Sequence, residues 1–262
     1  MSSKVRSKDG TAIAYEKSGH GPPVVLVGGV IGDRSQQASL AELLAKDFTV
    51  LNFDRRGRGE SEDKEPYAVE REIEDIDAIL HEAGGSAFVY GTSGPGVLAL
   101  HAAAGGPGPK IKKLAIWEPP FIVDDSRPKV RSDYRAQLTS LLREGRRGDM
   151  VELFFTEAVG MPVQLVAQMR QAPWWSAQET LAHTAIYDAT IMGDYSLPRA
   201  EIARVKVPIL VLDGGQMPWL SNSANAVAAA LPNARRRTLD GQQHNVDPAA
   251  LAPALVEFFK SE

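Results

Sequence analysis

The chain has 262 residues, of which 44% are hydrophobic and 24% charged, enough apolar material for a sizeable core and too much for a disordered polymer. A formal charge of −4 argues against a nucleic-acid binder, which needs a basic face; the short runs Arg55, Arg56, Arg58 and Arg235, Arg236, Arg237 are offset elsewhere. With no cysteine, disulfides, thiolate nucleophiles and zinc–sulfur sites are all excluded.

The opening residues MSSKVRSKDG are polar, with no apolar stretch of the kind a secretion signal carries. No run approaches the ~18 consecutive apolar residues of a membrane span. The expectation is a cytoplasmic protein that binds neither membrane nor nucleic acid. Residues 11–17 (TAIAYEK) alternate apolar and polar side chains, as a half-buried strand does. Residues 23–27 (PVVLV) form a continuous β-branched run, the pattern of a strand buried on both faces. Residues 48–53, 87–90, 114–117 and 209–212 add further buried strands, with helical patterns at 36–46 and 69–83. Strands alternating with helices predict βαβ units and a mainly parallel sheet.

Between residues 119 and 207 no convincing strand occurs, while helical patterns recur at 131–147, 149–159, 162–171 and 177–192. Alternation then resumes with 209–212, a helix at 223–231, a strand at 235–239 and a helix at 248–260. The expected organisation is therefore a core built from 1–120 and 207–262, with a helical cap at 121–206 inserted late in the sheet. In parallel sheets ligands bind outside the strand C-terminal ends, which is where such a cap lies.

The most informative stretch is Tyr90-Gly91-Thr92-Ser93-Gly94-Pro95-Gly96, with a buried strand before it and the small-residue helix 97–104 after it. Gly-x-Ser alone occurs in many loops that merely cap a helix. Between a strand and a helix, however, the serine sits on a sharp turn with its hydroxyl raised above the sheet edge. The following helix points the positive end of its dipole at the site and favours negative charge there.

These residues, together with Asp54-Arg55-Arg56-Gly57-Arg58-Gly59-Glu60-Ser61, Gly28-Gly29-Val30 and a C-terminal histidine loop, resemble the α/β-hydrolase superfamily from about residue 11 to residue 259. In that family the D-x-R-G-x-G-x-S pattern mainly builds a loop. One departure is Pro95, which stands where the usual G-x-S-x-G has its second glycine; proline is tolerated in the first turn of a helix. The resemblance implies Ser93 as nucleophile and, in the Asp240-Gly241-Gln242-Gln243-His244-Asn245 segment, His244 as general base. It also implies an oxyanion hole from the backbone N–H groups of Gly94 and Val30. Asp33 and Asp247 read as helix caps. Of the other histidines, His20 and His81 read as solvated, His101 as packed or surface, and His183 as a possible pocket residue.

The acid is less straightforward. In most of the family it lies a few residues beyond the strand at 209–212, near Met217, where this sequence has no carboxylate. Two candidates remain. Asp213 ends that strand and is slightly early. Glu118, in Trp117-Glu118-Pro119-Pro120, follows the preceding strand, a placement that resembles the zearalenone-type lactonases. Glu118 is preferred and Asp213 is the alternative.

Large apolar side chains are frequent in the insert. Most are expected to hold it together, whereas Trp174, Trp175, His183 and Tyr187 are expected near the substrate. The function expected is hydrolysis of a carboxylic ester or lactone of a medium-sized apolar molecule, with no metal or organic cofactor. Two alternatives keep the fold: a non-hydrolytic small-molecule-binding or cyclase-like protein, and a cofactor-free perhydrolase or haloperoxidase-like enzyme. The sequence gives no indication of oligomeric state.

Overall fold

A computed structural model describes residues 2–261. Eight strands form one sheet: β1 (Ser3–Arg6), β2 (Ala12–Ser18), β3 (Pro23–Val27), β4 (Thr49–Phe53), β5 (Ala87–Thr92), β6 (Ile111–Trp117), β7 (Ile209–Gly215) and β8 (Ala234–Gln242). Their spatial order is β1-β2-β4-β3-β5-β6-β7-β8. The pairs β1–β2 and β2–β4 are antiparallel and all others parallel.

Side-chain alternation along the buried strands feeds two cores. Val25 and Val27 of β3, Ile116 of β6 and Val211 of β7 pack on one face with the helices Val69–Glu82, Ser93–Ala104 and Pro218–Ala230. Val24, Leu26, Trp117 and Leu212 face the other way, onto the helices Ala38–Leu44 and Pro248–Lys260. Burial on both faces is why these strands read as unbroken apolar runs rather than alternating ones.

Between β6 and β7 the chain is helical: Tyr134–Arg143, Arg147–Leu153, a π-helical turn Phe154–Val159, Val163–Met169, Trp175–Thr180, Thr184–Met192 and Arg199–Ile202. Several boundaries differ from the sequence reading. The 177–192 pattern is two helices, broken at 181–183, and Thr184 Oγ1 donates to Leu181 O across the break (2.7 Å). The helix after β7 starts at Pro218, not at 223, because proline suits a first helical position. Strand β1 was not expected. Its sequence SKVR has no apolar pattern, and pairing with β2 alone makes it a strand.

Among the described residues, no helix is long and apolar enough to cross a membrane.

Candidate active site

The C-terminal ends of β5, β6 and β7, with the loop after β8, bring three side chains together. Ser93 follows β5 directly and opens the helix Ser93–Ala104. Its φ of 54° lies in the left-handed region that a non-glycine residue rarely occupies. The turn closes because Gly91 and Gly96 touch: a Cβ on Gly91 would lie 2.6 Å from Gly96 Cα, and one on Gly96 would lie 2.4 Å from Ile116 Cγ2. The close approach thus falls on Gly96. Pro95 sits within the first turn, where N–H groups have no intrahelical acceptor, so its missing donor costs nothing there.

His244 Nε2 lies 3.2 Å from Ser93 Oγ, and its Nδ1 lies 2.7 Å from Glu118 Oε2. Glu118, the residue after β6, is 1% exposed and also left-handed (φ 43°). Its N–H donates to Leu212 O (2.9 Å), and its Oε1 accepts from Gly214 N–H (2.9 Å). Both carboxylate oxygens are therefore occupied, which fixes the plane presented to the imidazole. Ser223, itself buried, donates to Pro119 O and pins the diproline that follows.

Trp117, one residue earlier, donates its Nε1–H to the backbone oxygen of His244 (2.9 Å). Adjacent residues of one strand end thus hold the histidine loop by its backbone and by its ring. Sequence reading did not single out Trp117. The signal available was its position beside Glu118, with a buried N–H that needs an acceptor.

Asp213 is equally buried, at 0% exposure, but it faces elsewhere. Its Oδ1 accepts from Thr238 Oγ1 (2.9 Å) and pairs with Arg236 Nη2 (2.8 Å), while Ser221 Oγ donates to its Oδ2. The carboxylate fastens β7 to β8 and to the helix Pro218–Ala230, and it has no hydrogen bond to His244.

The loop after β3 carries Val30. Among the described residues its N–H has no hydrogen-bond acceptor. The N–H of Gly94, in the first helical turn, has no intrahelical acceptor either. The D-x-R-G-x-G-x-S segment shapes the neighbouring loop: Asp54, fully buried, accepts from Arg34 N–H (2.8 Å) and Glu60 N–H (2.9 Å), and Ser61 Oγ donates to Asp54 O (2.7 Å).

The structure places the four residues expected near the substrate as follows. Trp175 is 3% exposed and packs inside the insert beside Phe155, at a ring separation of 6.0 Å. Trp174 is an exposed side chain. Tyr187 stacks on Tyr67 (3.9 Å) and donates to Asp63 Oδ2 (2.8 Å), while His183 Nε2 lies 3.6 Å from the same carboxylate. These last two side chains tie the insert to the core, because large side chains at a helix–core junction bury most area by packing there. Desolvation pulls the His183 pKa below its usual value, against the pull of Asp63.

The remaining histidines follow the sequence reading. His20 and His81 are exposed, and His101 Nδ1 lies 2.6 Å from Glu201 Oε1 at the end of the insert. Asp33 and Asp247 cap helices, accepting from Ser35 N–H (2.8 Å) and Ala249 N–H (2.9 Å).

Residues 12–255 match the profile of the alpha/beta hydrolase family. The chain belongs to that family. An α/β-hydrolase from Sphaerobacter thermophilus DSM 20745 is 55% identical over 98% of this chain and 100% of its own, with a TM-score of 0.93. A thermophilic esterase from Thermogutta terrifontis is 21% identical over 99% and 98% of the two chains, with a TM-score of 0.76, and shares the fold. The hydrolase YraK of Bacillus subtilis strain 168 is 35% identical over 95 residues, which span only 35% of each of the two proteins. Among the described residues of this α/β-hydrolase, three of the four non-glycine positions with positive φ are Ile31, Ser93 and Glu118. Backbone strain is thus concentrated around the strand ends where the Ser–His–Glu cluster lies, as it is at sites where geometry matters more than local comfort.

Proposed function

We propose that this hydrolase cleaves a carboxylic ester or lactone of a medium-sized apolar molecule through an acyl-enzyme on Ser93. The observation that carries the reading is the continuous hydrogen-bonded line Ser93–His244–Glu118, at 3.2 and 2.7 Å, ending on a buried carboxylate with both oxygens engaged. In it His244 Nε2 accepts the Ser93 proton as Oγ attacks the substrate carbonyl. Glu118 holds Nδ1–H and stabilises the imidazolium that forms.

The N–H groups of Gly94 and Val30 take the charge that develops on the carbonyl oxygen. His244 then returns the proton to the leaving alkoxide. Water enters and attacks the acyl carbonyl as His244 removes its proton; the bond to Ser93 Oγ then breaks, and His244 returns that proton to Oγ. Asp213 is given a structural role, because its three partners lie on β8 and the helix Pro218–Ala230 and none of them is the histidine. The helical insert serves as a cap over the strand ends, with the apolar part of the substrate between it and the core.

The test is a fluorophosphonate probe with p-nitrophenyl acetate turnover run alongside. Wild-type protein should be labelled and turn over the ester, and Ser93→Ala should do neither. Folded wild-type protein that takes up no probe and hydrolyses no ester sinks the reading, and leaves the fold to a non-hydrolytic role.

A further inference from the structure

The loop carrying Val30 is strained and tightly packed. Gly29 has φ 84°, which glycine adopts freely, whereas Ile31, fully buried, holds the costly φ of 40°. Such a backbone persists only when its surroundings over-determine it. One of those surroundings is Arg58: its Cδ lies 3.6 Å from where a Cβ on Gly29 would stand.

Arg58 is 1% exposed, and its guanidinium has few partners. Nη1 donates to Arg56 O (3.0 Å), Nη2 donates to both oxygens of Asp188 (3.2 and 3.1 Å), and Nε has none. Among the described residues Asp188 is its only carboxylate. Asp188 belongs not to the core but to the helix Thr184–Met192 of the insert, and it also takes Arg55 Nη1 (2.8 Å). Arg55 has a second carboxylate, Glu72, at 2.6 and 2.8 Å; Arg58 does not. Burial, and then the adjacent Arg55 charge, pull the Arg58 pKa below its usual value. Without Asp188 this cation would be buried, unpaired and beside a like charge, a situation that buried charges do not sustain.

We infer that Asp188 is a positioning residue for the reaction: by holding Arg58 against Gly29 it sets the loop that presents the Val30 N–H, so docking of the insert helix and assembly of the oxyanion hole are one event. The inference rests on the proposed ester hydrolysis. It gives a role to a charged pair that the mechanism does not otherwise use. It also makes the insert a condition for turnover and not only a wall of the substrate site.

The test uses the full chain. Asp188→Asn, Asp188→Glu and Arg147→Ala are compared with wild type in p-nitrophenyl acetate kinetics, fluorophosphonate labelling rate and melting temperature. Arg147 donates to the insert carbonyls of Glu179 and Thr180 (3.2 Å each), so its loss weakens the insert without touching Arg58. Removing one oxyanion donor costs about 10²–10³ in kcat, so a displaced donor in Asp188→Asn should cost at least about tenfold, with KM within about twofold and labelling slowed in parallel.

Asp188→Glu keeps the charge and the fold with a longer arm. It is expected to lose kcat by about three- to tenfold with KM held, because mispositioning alone lowers rates. Arg147→Ala should lower the melting temperature and leave kcat near wild type. Wild-type kcat and labelling in the Asp188 variants overturn the inference, as does an equal kcat loss in Arg147→Ala. An unlabelled, inactive wild type would instead overturn the proposed hydrolysis.

Discussion

Replacing Glu118 by glutamine and, separately, Asp213 by asparagine should separate catalysis from stability in this hydrolase. In Glu118→Gln the side-chain carbonyl would keep the Gly214 N–H bond now made by Oε1 (2.9 Å) and turn its amide toward His244 Nδ1. The imidazole would then carry its proton on Nε2 and could not accept the one from Ser93. A wrong tautomer of this kind costs about 10⁴ in kcat, or ~5 kcal/mol at about 1.36 kcal/mol per decade. Stability should change by only about 1–2 kcal/mol, since the packing and one hydrogen bond survive.

Asp213→Asn acts in the opposite sense. The carboxylate is fully buried with three partners, and its Arg236 partner is 28% exposed. Breaking a buried pair costs about 3–5 kcal/mol, which partial exposure of the arginine reduces to ~2–3 kcal/mol. At about 2–4 °C per kcal/mol for a chain of this size, the melting temperature should fall by roughly 4–12 °C. The kcat of the folded variant should stay within about one decade of wild type, because Asp213 does not touch His244. Circular-dichroism melts and p-nitrophenyl acetate turnover at 25 °C read both quantities. If Asp213→Asn loses three decades of kcat while Glu118→Gln stays active, the acid is Asp213 and the hydrogen-bonded line described for Glu118 does not carry the reaction.

Ser93→Gly and Ser93→Ala should both be inactive, yet the glycine variant should be more stable by roughly 0.5–1 kcal/mol. The left-handed cost of ~1–2 kcal/mol is relieved and partly offset by the larger unfolded-state entropy of glycine, and urea midpoints report the difference. Pro95→Gly, which restores the common family pattern, should leave kcat within about twofold, because the close helix–strand contact is made at Gly96 and the lost ring had no N–H to supply. His183 gives a pH signature. Its folded pKa lies below the unfolded 6.5, so between those two values the unfolded chain binds more protons. Its contribution to stability is therefore full above 6.5 and is lost as pH falls through the folded pKa. His183→Gln should flatten the acid limb of a melting-temperature profile, and an unchanged limb would remove His183 as its source.

The sequence by itself determined the architecture and pointed to the side chains that cluster at the candidate site. Buried strands 23–27, 87–90, 114–117 and 209–212 were legible because burial on both faces demands continuous apolar runs. Ser93 was legible because a strand-to-helix turn with small residues on both sides has a local signature. His244 was legible only through family resemblance, since nothing local distinguishes a histidine in a loop after the last strand.

Tertiary structure decided the rest. Glu118 and Asp213 are both buried carboxylates at adjacent strand ends, and only the direction each side chain takes puts one on His244 and the other on Arg236. Trp117 found its partner across the sheet in a loop far along the chain. For His183 and Tyr187, aromatic content marks burial without saying what does the burying; in the structure their partners include Tyr67 and Asp63 of the core. Local pattern records which side chains must leave water. Which buried groups then meet is set by contacts between distant segments, and those leave no trace in the periodicity of either one.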